Sequence, residues 1–150
     1  RSVAEEVMSF SKNNSWKQMA AWTLVPFIAV ANGALRELTF GRVLPPTLSH
    51  NLSMVPLLIG IFAYAFYVGR RWPLEDAGAG TRVGLVWAVL TVAFEFGLGA
   101  LTGHSVREMA AQYNVFAGNL WPLAPLSMAI APEVVRRYQQ RRVSGQAPAR

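Results

Sequence analysis

Residues 83–101 read VGLVWAVLTVAFEFGLGAL, an apolar run whose one charged side chain is Glu95. At about 19 residues it is close to the ~20 that a helix needs to cross a hydrocarbon core roughly 30 Å thick. It has no period-2 alternation, which excludes a barrel strand. It also lacks the polar face that a helix in a soluble bundle turns toward water. A helix is then the only spanning option, because backbone in lipid has to satisfy its own hydrogen bonds. Outward from this run lie three further apolar blocks: residues 18–38 (QMAAWTLVPFIAVANGALREL), 51–69 (NLSMVPLLIGIFAYAFYVG) and 115–135 (VFAGNLWPLAPLSMAIAPEVV). The expected fold is all-α, an integral membrane four-helix bundle. Residues 1–138 form its single transmembrane domain, and residues 139–150 are expected to be a basic, disordered cytoplasmic tail.

Charge is sparse but sorted. Of 150 residues 53% are hydrophobic and only 15% charged, yet the net charge is +6. With four spans, one side of the membrane carries Arg1, Lys12, Lys17, Arg70, Arg71, Arg82, Arg136, Arg137, Arg141, Arg142 and Arg150. The other side carries only Arg36, Arg42 and Arg107. This asymmetry predicts that both termini are cytoplasmic. It also gives the positive charge a task other than nucleic-acid binding: Arg70, Arg71, Arg136, Arg137, Arg141 and Arg142 are expected to contact anionic lipid. Trp16, Trp72, Trp87 and Tyr138 fall near the basic boundary, and Tyr113 and Trp121 near the opposite one, as interfacial aromatics do. The absence of cysteine excludes disulfides, thiolate zinc sites, iron–sulfur clusters and thiol nucleophiles.

Two short segments suit helices lying in the interface. Val3, Val7 and Phe10 share one helical face near the N-terminus. Between the third and fourth blocks, Ser105 and Glu108 form an S-x-x-E capping box, followed by a stripe of Val106, Met109, Ala110 and Tyr113. A two-turn helix on the outer surface is expected there.

The candidate functional residues are the polar ones that a membrane does not tolerate without a reason. Glu95 lies some 12 residues into the third span, on a face shared with Thr91 and Gly99. Asn32, Arg36 and Glu37 lie near the outer end of the first. Arg36 and Glu95 are expected to form a buried ion pair. That pair either locks two helices in register or, with Asn32, Glu37, His104 and Asn114, binds a ligand. Ala93 with Gly97, and Gly99 with Gly103, are small-xxx-small pairs that permit close helix approach. His50 and His104 flank spans on the outer side. Axial haem ligation through them is disfavoured by their interfacial positions, and no spacing recommends a metal site with Glu108. No cofactor is therefore expected. Asn119, Pro122 and Pro125 make the outer half of the fourth block the least regular. Phosphate-binding loops, H-E-x-x-H, G-x-S-x-G and paired magnesium-binding aspartates are all missing from the sequence.

The strings NGALRE (32–37), FEFGLG (94–99) and QYNVFAGNLWPL (112–123), with Ala131 and Pro132, resemble a family of small bacterial inner-membrane proteins. The resemblance implies a four-helix membrane fold in the inner membrane and nothing catalytic. The residues carrying it are Asn32, Gly33, Arg36, Glu37, Glu95, Tyr113, Asn114, Gly118 and Trp121. Gln112 stands where relatives commonly carry Asp, which removes a charge from that position. The expected function is non-enzymatic: an accessory or structural subunit packed against other membrane-protein subunits or against itself. The alternative is a binder or transporter of a small amphiphile, lipid headgroup or quinone in the outer half of the bundle.

Overall fold

The computed structural model describes Glu5 and residues 14–145. The described residues form helices without any strand. Helix α1 is Asn14–Leu38, α2 is Pro46–Arg71 and α3 is Ala79–Leu101. All three are long and apolar enough to cross a membrane. A short helix α4 (Val106–Ala111) and a 3-10 turn at Val115–Ala117 lead into α5, Leu123–Gly145. Helices therefore form where the first three apolar blocks lie, extended by a few residues.

The fourth block behaves differently, and the expected span 115–135 is corrected. Its first residues form the 3-10 turn, and α5 begins only at Leu123. From Leu123 to Pro132 the helix is about 10 residues, roughly 15 Å at 1.5 Å per residue, before Glu133 introduces charge. The expected irregularity around Asn119, Pro122 and Pro125 is thus real and ends at the helix start. At the other end, α5 continues helically through Gly145, so residues 139–145 are no disordered tail. Residues 146–150 and the N-terminal stripe of Val3, Val7 and Phe10 lie outside the described residues.

Helix α1 is not uniform, and the cause is Pro26. A proline has no N–H to give to the carbonyl one turn back, and its ring crowds that carbonyl. The chain responds with the 3-10 turn Ala21–Leu24, where Val25 N–H donates to the Trp22 carbonyl instead. Side chains from neighbouring helices attend to carbonyls along this stretch. Tyr64 Oη donates to Ala21 O at 2.8 Å and Trp87 Nε1 donates to Gln18 O at 2.8 Å. Trp87, expected at the interface, is instead 1% exposed and stacked on Tyr64 with centroids 5.8 Å apart. Its ring fills the core while its one polar hydrogen repairs the irregular helix.

Helix α5 packs against both α2 and α3, and α1 packs along α2. Two glycines allow the α3–α5 approach. A Cβ added at Gly80 would meet the backbone of Glu133, and one at Gly84 would fall on the carbonyl of Ala129. On α2, a Cβ at Gly69 would meet the side chain of Val135. Residues 80–84 are thus a G-x-x-x-G seam. The expected small-residue pairs play other parts: nothing lies within 4 Å of a Cβ at Gly97 or Gly103, while Gly99 faces Met109.

Polar contacts gather the basic end. Asn14 Nδ2 donates to Pro73 O at 3.0 Å, Gln18 Nε2 to Trp72 O at 2.7 Å and Gln140 Nε2 to Glu75 O at 3.1 Å. The start of α1, the α2–α3 connection and the end of α5 therefore share one end, as the charge sorting requires. Large apolar side chains face outward along the helices, among them Phe27 at 70%, Ile59 at 65% and Val89 at 65% exposed. A water-soluble monomer rarely shows such continuous apolar surface.

The seam makes a measurable prediction. Gly84→Ala is expected to destabilise the protein by about 1–3 kcal/mol, as overpacking against backbone does. Gly97→Ala, in open space, is expected to stay within about 0.5 kcal/mol of the parent. Thermal unfolding of both variants in a nonionic detergent gives the comparison; equal midpoints would remove the seam from the account.

Candidate functional site

Glu95 is half-buried on α3, and its surroundings are built by the chain that follows. Helix α3 ends with Gly103 in the left-handed conformation (φ 83°). There His104 N–H donates to Gly99 O at 2.9 Å and Gly103 N–H to Ala100 O at 3.2 Å, the bond pattern of a Schellman stop. The chain reverses, and the expected capping box then starts α4. The Glu108 backbone N–H donates to Ser105 Oγ at 3.2 Å while the Ser105 N–H donates to Glu108 Oε2 at 2.7 Å. Met109 on the underside of α4 is buried against Gly99. This folds the segment back over the end of α3.

Asn51 on α2 fixes the rest of the connection. Its Nδ2 donates to Gly118 O at 2.7 Å, and its Oδ1 accepts from Leu120 N–H at 3.1 Å. Asn119 Nδ2 donates to Ala111 O at 3.1 Å. With both strands of the connection tied, Tyr113 and Trp121 converge on one carboxylate oxygen. Tyr113 Oη donates to Glu95 Oε2 at 2.5 Å and Trp121 Nε1 donates to the same atom at 3.0 Å. Glu95 Oε1 accepts no hydrogen bond from any described residue. Burial, followed by the bond to Glu95, raises the Tyr113 phenol above its ordinary value, which keeps it a donor.

Around Glu95 opens a pocket of about 360 Å³. Val25, Ala29 and Val30 of α1 form one wall, Thr91, Phe94 and Glu95 of α3 another. Met109, Tyr113, Trp121 and Met128 close it from the far side. Thr91 is itself tied across the bundle, accepting from Trp22 Nε1 at 2.9 Å and donating to Met128 Sδ at 2.9 Å. The pocket is in the size range of small-molecule sites and mostly apolar, with one carboxylate.

The expected Arg36–Glu95 ion pair does not form. Arg36 Nη2 lies 3.1 Å from Glu37 Oε1, and Arg36 Nη1 lies 3.0 Å from His50 Nδ1. Adjacent charges on one helix, together with a histidine one helix away, satisfy the guanidinium locally. Helix α2 starts at Pro46, so His50 lies in its early turns, with its ring 5.2 Å from that of Trp121. Arg36, Thr47, His50, Gln112 and Asn119 border a separate polar cleft of about 420 Å³. Asn32 Oδ1 and His50 Nε2 are buried without a hydrogen-bond partner.

Of the other expected ligand residues, His104 lines the Glu95 pocket with its Nδ1 3.0 Å from Thr102 Oγ1. Glu37 is exposed beside Arg36. Asn114 caps the 3-10 turn by accepting from Phe116 N–H at 3.1 Å. Among the arginines expected to contact anionic lipid, Arg136 is corrected: it is 8% exposed and paired with Glu133 at 2.6 Å. Arg137 also reaches Glu133, at 2.8 Å, but stays exposed. Arg70 and Arg142 lie over the rings of Phe66 and Tyr138, and Arg71 over Trp72. Among the described residues no group of three or more His, Cys, Asp or Glu could hold a metal ion. What sequence reasoning missed is the role of Tyr113, Trp121 and Asn51. Tyr113 and Trp121 read as interfacial aromatics, although their indole and phenol hydrogens were the available signal.

Comparison with family models, with curated proteins and with solved structures finds no match. The function has to rest on the chemistry of the site.

The capping box carries a pH dependence. Two bonds from Ser105, the backbone one first, and then the charge of His104 hold the Glu108 carboxyl below its ordinary 4.5. A lowered folded value means that the contribution is complete above the ordinary value and is lost as pH falls through the lowered one. The protection of the Ser105 and Glu108 amides, relative to their intrinsic exchange rates, should therefore hold at neutral pH and fall under acid. Glu108→Gln should show much less of that acid response.

Proposed function

We propose that this is an integral membrane protein that binds a small amphiphile in the pocket between α1, α3, α4 and α5. The observation that carries this is Glu95: a carboxylate far along an apolar helix, held by two aromatic donors from other segments, on the wall of an apolar cavity. An intramembrane carboxylate is expensive, and two donors recruited to one oxygen keep it oriented.

In this reading the end of the bundle bearing Lys17, Arg70, Arg71, Arg82, Arg137, Arg141 and Arg142 is cytoplasmic, in the inner membrane of a bacterium. Its exposed arginines meet anionic headgroups, each worth ~1 kcal/mol near the surface. Helix α5 completes the bundle as a fourth membrane helix, its short apolar part packed with one face on α2 and α3. One observation favours the accessory-subunit reading as a second: Ala93 and Gly97 are exposed on α3, with open space beside Gly97. Such a stripe suits a further helix, from another subunit or a second copy.

Because the chain has no cysteine, single-cysteine variants report directly. Ala77→Cys, in the α2–α3 connection, should label only from the cytoplasmic side, and Ala111→Cys only from the opposite side. Labelling of both from one side would contradict the membrane arrangement. For the pocket, Val30→Trp places an indole at its wall without touching Glu95. Native mass measurement should find a small amphiphile retained by the parent and lost from this variant. A disulfide-linked dimer of Ala93→Cys would support the second reading instead.

A further inference from the structure

No permanent cation balances the pocket's charge from within, and this specifies the head of its occupant. Glu95 is the one carboxylate on its walls; no Lys or Arg lines it, and the one basic side chain there, His104, has its Nδ1 3.0 Å from Thr102 Oγ1. The arginine best placed by sequence to neutralise Glu95 is engaged by Glu37 and His50 at a separate cleft. Tyr113 and Trp121 are neutral donors, so they orient the carboxylate and leave its charge in place. Both occupy Oε2, and Oε1 accepts no bond from a described residue.

An ionised carboxylate in an apolar cavity without a counter-charge is unfavourable: it takes up a proton or is joined by something cationic, and a bound cation holds it ionised. The rings of Phe94, Phe96, Tyr113 and Trp121 stand around the same space. Aromatic faces add to the attraction for an ammonium. The opposite wall, Val25, Ala29, Val30 and Leu57, is purely aliphatic.

Resting on the amphiphile-binding function above, we propose that the ligand is a cationic amphiphile. Its single ammonium head meets Glu95 Oε1 among the aromatic rings, and its hydrocarbon part lies along the α1 wall. The selectivity is for positive charge and not for a particular chain.

The test uses the whole chain in nanodiscs of zwitterionic lipid and three probes: decyltrimethylammonium, its uncharged isostere with carbon in place of nitrogen, and decanesulfonate. The parent should bind the ammonium at least about tenfold more tightly than the isostere, equivalent to roughly 1.4 kcal/mol. Glu95→Gln should bring the two affinities within about twofold of each other. A hydrophobic carbodiimide that labels Glu95 in the parent gives the same answer without a variant: the ammonium should slow labelling and the isostere should not. Equal binding of the ammonium and the isostere, or preference for the sulfonate, would overturn the cationic head and leave amphiphile binding standing. Binding of none of the three would overturn both. Selectivity for the ammonium that survives in Glu95→Gln, or labelling of Glu95 that the ammonium does not slow, would place the cation elsewhere and overturn the assignment.

Discussion

Helix α3 lies so close to α5 that the Ala129 carbonyl fills the place where a side chain at Gly84 would be. Much else depends on that approach. It brings the least apolar of the long helices between α2 and α3, where its charged half is shared with the basic end and its apolar half with the core. It sets Met128 beside Thr91. It also fixes where α5 begins, and so where Trp121, two residues before the helix, can reach. Glycine is required here for space, since neither Gly80 nor Gly84 adopts an unusual backbone angle.

Two polar sites inside the bundle follow one rule, that hydrogen-bonding groups away from water find partners within the protein. Pro26 disturbs α1, and Tyr64 and Trp87 supply hydrogens to carbonyls near the disturbance. Glu95 breaks the apolar face of α3, and Tyr113 and Trp121 supply hydrogens there. In each case the donor is an aromatic side chain, which brings one polar atom and a large apolar body. Lysine or arginine would bring a further charge to be accommodated, and the protein uses neither at these points.

Much of this was legible in the residues. Apolar length placed α1, α2 and α3, and the S-x-x-E pattern placed the cap of α4, because both signals are local and depend only on spacing. The fourth span was misjudged because prolines and apolar residues in 115–135 satisfied an average while the turn residues Asn114 and Gly118 set the backbone. Glu95 stood out at once as an acid in an apolar run. Its partners did not, since pairing it with Arg36 follows from charge alone, and Arg36 finds Glu37 at the next position and His50 across the helix pair. Asn51 was invisible as a clamp for a similar reason: an amide at the head of a span carries no mark of the connection, almost seventy residues later, that it holds.

The position of Glu95's donors also bears on how the protein is made. Tyr113 follows the carboxylate by 18 residues and Trp121 by 26. Both donors stand outside α3, so the helix that carries the carboxylate cannot satisfy it alone. Glu95 is held only once the chain has turned at Gly103 and the α4 segment has folded back over the end of α3. Assembly thus has an order at this point: α3 forms from local contacts, and its carboxylate is tied last, by the segment behind it. A chain ending before Tyr113 would carry α3 with that carboxylate untied.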